Sequence, residues 1–328
     1  MKKIVFWLRN ARIVALPQSL LPSIVAFCMA VNSDSHSVLL GILAIFGVIA
    51  AHLSVNLFDD YFDFVNTNKT SREDIAEETS FVRVAKSPYL YSGEVSPKKL
   101  FFVASAFAAF ALLLGCIIFF YRGVTPLIIA LIAGFLGFFY SAAPLKLCYH
   151  GLGEIVTGLI FGPLLMGGVF YSATGTFTPE IWVISAVVGL LVINILFTHS
   201  IMDFNPDKMV GKKTLAGVLK SKKLNLTASF IFNFTPYIII AVSIILDIIS
   251  PLNWIIFAIL PLSIYLFYLL YQFCYNPDRQ FSRKWWLGPM ENWNVIEEHK
   301  MEWFAIRWYL SRNILQFFCL LFMILAFL

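Results

Sequence analysis

Charge is what this sequence has least of: only 13% of its 328 residues are Asp, Glu, Lys or Arg, about half the share usual in a soluble domain. Closely spaced cysteines are missing too. Cys28, Cys116, Cys148, Cys274 and Cys319 are scattered, four of them inside apolar runs, which argues against a disulfide framework or a zinc centre. Gly/Ser-rich linkers and short-period repeats are absent, so a single domain over residues 1–328 is expected. No serine-triad, zinc-protease, haem or flavin signature appears. What is present is apolar: 59% of the chain, before its 18 glycines are counted. A soluble domain reaches about 45–50% with glycine included. A soluble enzyme, a disordered chain and a nucleic-acid-binding domain are therefore excluded, and the net charge of +5 reads as loop bias rather than affinity for nucleic acid.

Crossing a hydrocarbon core takes about 20 apolar residues. Runs of that kind lie near 13–32, 38–58, 100–120, 123–142, 152–173, 181–202, 226–248, 252–274 and 309–328. They predict an all-α integral membrane protein of nine transmembrane helices. Arg9 and Arg12 interrupt the first run and no small-residue cleavage site follows it, so it reads as a retained span rather than a signal peptide. Every lysine and arginine except Arg122 then falls on one face. The positive-inside rule makes that face cytoplasmic, with the N-terminus on it and the C-terminus opposite; a bacterial inner membrane is the expected location. The opposite face has only short loops. Three longer ones, 64–99, 203–225 and 275–308, are cytoplasmic, and Trp285, Trp286, Trp293 and Trp303 make the last read as a segment resting in the membrane interface.

The acids concentrate where two spans meet the cytoplasm. Asn56, Asp59, Asp60 and Asp63 follow helical spacing and share one face. Asp203 and Asp207 stand at i and i+4, provided the helix continues through Pro206. Like charges on one face repel unless a cation sits among them, and carboxylate oxygens suit Mg²⁺, which shares itself readily with phosphate. Lys208, Gly211, Lys212 and Lys213 follow the second cluster and could receive phosphate oxygens, as could Lys146. Glu154 opens a span and needs a partner. His199 lies one turn before Asp203, placed to ligate, orient a substrate or carry a proton.

Metal-binding acids, phosphate-binding lysines and a lipid-open bundle favour a substrate with a diphosphate head and a long apolar tail. Mg²⁺ would neutralise charge on a departing diphosphate. Aromatic walls would shelter an allylic cation from water. A secondary transporter is the alternative of a different class, but transporters tend to hold their charges near midplane on repeated halves.

Four stretches in order resemble the UbiA superfamily of intramembrane prenyltransferases, and within it the 1,4-dihydroxy-2-naphthoate prenyltransferases of menaquinone synthesis. They are NLFDDYFD at 56–63, SGEVSP at 92–97, YSAAPLKLCYHGLGEIVTGLIFGPLLMGGVFY at 140–171 and MDFNPDKMVGKKTLAGVL at 202–219. The resemblance implies a helical bundle around a lipid-open cavity under a cytoplasmic cap. Asn56, Asp59, Asp60, Asp63, Asp203 and Asp207 would hold Mg²⁺ and the polyprenyl diphosphate, with Arg83, Lys146, Lys212 and Lys213 on the diphosphate. Tyr140 would lie near the reacting carbon. The prenyl group would replace a ring carboxylate, giving demethylmenaquinone and CO₂. Other acceptors known in that superfamily are hydroxybenzoate, haem and glycerol phosphate. Asp59, His199 and Met202 stand where the family usually has Asn, Asn and Arg.

Overall fold

The computed structural model describes residues 2–66, 87–204 and 213–328, which are helical almost throughout. The main helices are α1 (Lys2–Asn10), α2 (Pro17–Val31), α3 (Val38–Asn66), α4 (Pro97–Arg122), α5 (Val124–Phe138), α6 (Gly153–Thr174), α7 (Pro179–Met202), α8 (Lys222–Ile245), α9 (Pro251–Tyr275) and α10 (Glu302–Leu325). Seven of them, α3, α4 and α6 to α10, are long and apolar enough to cross a membrane; α2 and α5 are apolar but shorter. Each expected run thus coincides with an apolar helix, while several boundaries move. The first run starts at Pro17, after a 3₁₀ turn at Ile13–Ala15, and the fourth stops at Phe138. The last begins at Glu302 rather than near 309, so Trp303 and Arg307 belong to a helix and not to a loop.

Local chemistry explains the punctuation. Pro17, Pro97, Pro179 and Pro251 open their helices, where a fixed φ helps and the missing N–H has no partner to lose. Gly123, at φ 73°, alone joins α4 to α5, a backbone setting that glycine adopts without strain. Arg122, the last residue of α4, donates from Nε to the Ser172 carbonyl at 2.9 Å and from Nη2 to that of Ala173. It thereby neutralises the negative end of α6.

The helix α7 is the most buried of the long helices and packs against α6, α8 and α10. At its crossing with α6 the backbones touch. A β carbon on Gly162 would meet the Ser185 carbonyl oxygen at 2.5 Å, and one on Gly189 would meet that of Gly158 at 2.8 Å. Such close approach is a common use of small residues between membrane helices. Pro163 lies in the same stretch, where α6 widens into a π-helical turn at Ile160–Leu164, accommodating a residue that cannot donate to the ladder.

A second, smaller core holds α3 to α4. Leu53, Leu57 and Phe58 pack on Leu100 and Ala104, with Tyr89 and Leu90 closing the end. Between the two cores lies a cavity of about 1180 Å³, walled by α3 to α7 and by Phe304 and Trp308 of α10. Its wall is mostly apolar, with many small residues such as Ala111, Gly115, Ala130 and Gly134, and the acids gather at one end.

The tryptophans between Trp285 and Trp303 differ in their settings. Trp293 is buried and donates from Nε1 to Glu297 at 2.7 Å, and Trp303 stacks on Phe273. Trp285 is 90% exposed and is the one that fits the interfacial reading best.

Candidate active site

The first acidic cluster lies in the last turns of α3, and its carboxylates are engaged by protein donors. Arg12, just before α2, pairs through Nη1 with Asp59 at 3.3 Å and through Nη2 with Asp60. Ser141 donates to the other oxygen of Asp59, Tyr89 to the other oxygen of Asp60 at 2.8 Å, and Tyr149 to Asp63 at 2.8 Å. Asn56 donates to the Ala11 carbonyl at 2.9 Å, which fixes the approach of the Arg12 segment. Burial pulls the Arg12 guanidinium toward neutrality, but the charges of Asp60, Asp59 and Asp63 outweigh it and raise its pKa above the ordinary arginine value. Burial, reinforced by the Asp60 and Asp63 carboxylates, likewise raises Tyr89 and Tyr149 above the ordinary tyrosine value. The cation that the like charges demand is thus Arg12, a residue that spacing along α3 could not reveal.

Of the second cluster, Asp203 is buried and caps the C-terminus of α7, while Asp207 lies outside the described residues. His199 meets Asp203, Nδ1 to Oδ2, at 2.7 Å, and the imidazole rests edge-on against Phe304. Nearby, the buried Glu154 of α6 accepts from Ser200 at 2.5 Å and from the Leu215 backbone N–H at 3.1 Å. It ties α6 to α7 and to the return of the chain after the second cluster.

Asn56, Asp59, Asp63, Tyr140, His199 and Asp203 all line the cavity, whereas Asp60, 1% exposed, lies behind its wall. Lys146 is half-buried in a left-handed turn and Lys213 is exposed. Arg83, Asp207, Lys208, Gly211 and Lys212 fall outside the described residues. Besides Arg12, sequence reasoning missed His52. It is buried in α3, meets Ser19 Oγ at 2.6 Å and faces the cavity.

Both clusters sit at helix C-termini, where the macrodipole is negative and a carboxylate is disfavoured unless a cation accompanies it. The donor set is oxygen-rich and free of thiolates, as a hard ion such as Mg²⁺ prefers. Asp63 and Asp203 contribute to it from two different helices. Among the described residues no three His, Cys, Asp or Glu side chains converge on a single ion position. The chemistry fits a divalent cation shared with a ligand better than one held by protein alone.

Comparison with known proteins agrees with this geometry. The model of the UbiA prenyltransferase family matches residues 19–295. The chain is 26% identical over 248 residues to a 1,4-dihydroxy-2-naphthoate octaprenyltransferase of Bacillus subtilis (strain 168), covering 75% of this chain and 76% of that one. It is 30% identical over 162 residues to a 2-carboxy-1,4-naphthoquinone phytyltransferase of Synechocystis sp., covering 49% and 48%. In fold it is similar to a UbiA homologue from Archaeoglobus fulgidus bound to GPP and Mg²⁺, with a TM-score of 0.62, 19% identity and 98% of each chain covered.

Proposed function

We infer the reaction from one premise: the chain belongs to the UbiA prenyltransferase family. It is an integral membrane enzyme that transfers a prenyl group from a diphosphate. We propose that the donor is a polyprenyl diphosphate and that the acceptor is 1,4-dihydroxy-2-naphthoate. One observation carries this reading: Asp63 and Asp203, from different helices, open on a cavity whose wall is otherwise mostly apolar. That shape accepts a charged head and a long hydrocarbon tail together. The names of two relatives, both acting on naphthalene rings, favour the acceptor.

In this reading Asn56, Asp59, Asp60, Asp63, Asp203 and Asp207 form the set that holds Mg²⁺, Asp60 joining when its arginine partner turns away. The ion supplies Lewis-acid neutralisation of the leaving diphosphate. Arg83, Lys146, Lys212 and Lys213 receive phosphate oxygens. The allylic C–O bond of the donor breaks and diphosphate departs. The ring carbon bearing the carboxylate then bonds to the prenyl carbon. Loss of CO₂ returns the electron pair to the ring, so the product leaves at the quinol level of demethylmenaquinone and no oxidant is required. Tyr140 lines the wall beside the reacting carbons, His199 orients Asp203 and the acceptor, and the apolar wall keeps water from the cation.

The same reading makes one domain of the whole chain, counts α2 and α5 among nine spans, and treats the loops near 64–99, 203–225 and 275–308 as the cytoplasmic cap. It sets the N-terminus in the cytoplasm and the C-terminus across a bacterial inner membrane. The test is transfer by purified protein given radiolabelled polyprenyl diphosphate, a panel of aromatic acceptors and either Mg²⁺ or EDTA. Mg²⁺-dependent product with the naphthoate is expected. Diphosphate release coupled only to another acceptor would overturn the choice of acceptor, and no transfer from folded protein would overturn the donor as well.

A further inference from the structure

The stretch between α9 and α10 turns back on the helices it joins. Its carbonyls at Leu287 and Pro289 accept from Asn313 Nδ2 at 2.9 and 3.0 Å. Asn313 lies about 16 Å along α10 from Glu302, at 1.5 Å per residue. On the other side Trp286 meets the Tyr265 ring edge-on at 4.9 Å, and Phe281 meets that of Tyr268 at 6.0 Å. Tyr265 is about 15 Å back along α9 from Tyr275. Residues 281–290 therefore lie against the flank of the bundle rather than beyond its end.

Three cations ride on this stretch, Arg279, Arg283 and Lys284, and residues 279–290 contain no acid. All three are exposed, and among the described residues none of them forms an ion pair. Aromatic faces hold them instead. Arg279 Cζ lies 5.9 Å from the centre of the Tyr268 ring and Lys284 Nζ 5.9 Å from that of Tyr265, and the two rings stack 6.1 Å apart. The Arg283 guanidinium stands over Trp293. Neither tyrosine hydroxyl has a hydrogen-bond partner among the described residues. Ile264 and Trp285, beside them in sequence, are exposed apolar side chains. A ring face restrains a cation without cancelling its charge. Two restrained cations and two hydroxyl donors on a lipid-facing wall are thus left without an anion.

We propose that Tyr265, Tyr268, Arg279 and Lys284 form a binding site for the phosphodiester of an anionic phospholipid. The phosphate oxygens accept from the guanidinium fork, the ammonium and the phenols. Trp285 rests among the lipid's ester groups, the depth that indole rings favour. Arg283 beside the site disfavours a headgroup that brings its own cation, which selects an anionic lipid over a zwitterionic one. None of the four residues lines the large cavity, so the site is separate from the one that would hold a prenyl diphosphate. Bound lipid clasps the returning stretch to α9. Because Asn313 ties the same stretch to α10, the lipid also braces the helix that supplies Phe304 and Trp308 to the cavity wall.

The test uses the full purified chain in nonionic detergent, with phosphatidylglycerol or phosphatidylcholine added in mixed micelles and the thermal midpoint followed. Phosphatidylglycerol is expected to raise the midpoint saturably, at about a tenth of the phosphatidylcholine concentration or less. Arg279→Gln combined with Lys284→Gln should weaken that response about thirtyfold, each basic residue near an anionic surface contributing roughly fivefold. Tyr268→Phe deletes one hydroxyl and keeps the ring. It should weaken the response severalfold, and it decides the matter if the double variant does not fold. Lys98→Gln combined with Lys99→Gln removes two exposed cations from the start of α4 and should change nothing. Equal responses to the two lipids, or the same response to inorganic phosphate, overturn the site. So does an undiminished response in the folded Arg279→Gln/Lys284→Gln protein or in Tyr268→Phe. An equal loss in the Lys98→Gln/Lys99→Gln protein overturns it too, because diffuse surface charge would then account for the binding.

Discussion

The two acidic helix ends look alike in sequence and are built differently. At the end of α3 the protein furnishes its own cation, Arg12, and three hydroxyl donors, Ser141, Tyr89 and Tyr149. At the end of α7, Asp203 meets His199, and the chain then runs into residues 205–212. A carboxylate surrounded in the first manner is held in place whether or not a ligand arrives. At either helix C-terminus an added cation offsets the negative end of the macrodipole. The pair therefore teaches that acid spacing identifies a cation-seeking region but not which acids the protein has already satisfied.

The contrast can be broken by substitution. Asp63→Asn and Asp203→Asn should each lower transfer by about a thousandfold, as loss of several kcal/mol of charge stabilisation implies, measured as product per minute with saturating Mg²⁺. Full activity in both would remove the shared site. Arg12→Gln comes next. It removes a cation from the buried Asp60 and its neighbour Asp59 and should cost about 3 kcal/mol, read as a fall in the thermal midpoint in detergent. An unchanged midpoint would mean that the first cluster is no better compensated than the second. Gly162→Ala should cost about 2 kcal/mol by overpacking α6 on α7, with activity falling only as folded protein is lost.

Smaller effects sharpen the picture. Glu154→Gln keeps an acceptor for the Leu215 N–H but loses its charge, for a cost of about 1 kcal/mol, seen as faster proteolysis near residue 215. Tyr149→Phe should be mildest. Because the folded pKa of Tyr149 is raised, its hydrogen bond to Asp63 is fully present below the unfolded value of about 10. It is lost only as pH climbs toward the folded value. The variant and wild type should then differ by a constant small increment between pH 6 and 9, and a difference that varies across that window would refute the assignment.

Much of the fold was legible because apolar runs report burial directly. The tight α4–α5 turn followed from the shortness of the polar break near Arg122, and the acidic faces from helical spacing. What stayed hidden was long-range. Arg12 is 47 residues from Asp59 and was counted only as a cytoplasmic charge. Glu154 plainly needed a partner, but nothing in its neighbourhood pointed to Leu215, 61 residues on. Arg307 was placed in a loop because positive charge ordinarily ends a span, while Arg312 fell near the start of the last run. The aromatic faces of Phe273, Phe281, Trp308 and Tyr309 let this helix carry them inward.

The touching backbones of α6 and α7 have a consequence for inheritance. Every single-base change that replaces a glycine with another residue adds a β carbon, and at positions 158, 162 and 189 that carbon meets atoms of the opposing helix. Any such replacement must push apart the crossing that brings Glu154 to Ser200, whereas Gly115 and Gly134, which face open space, carry no such constraint.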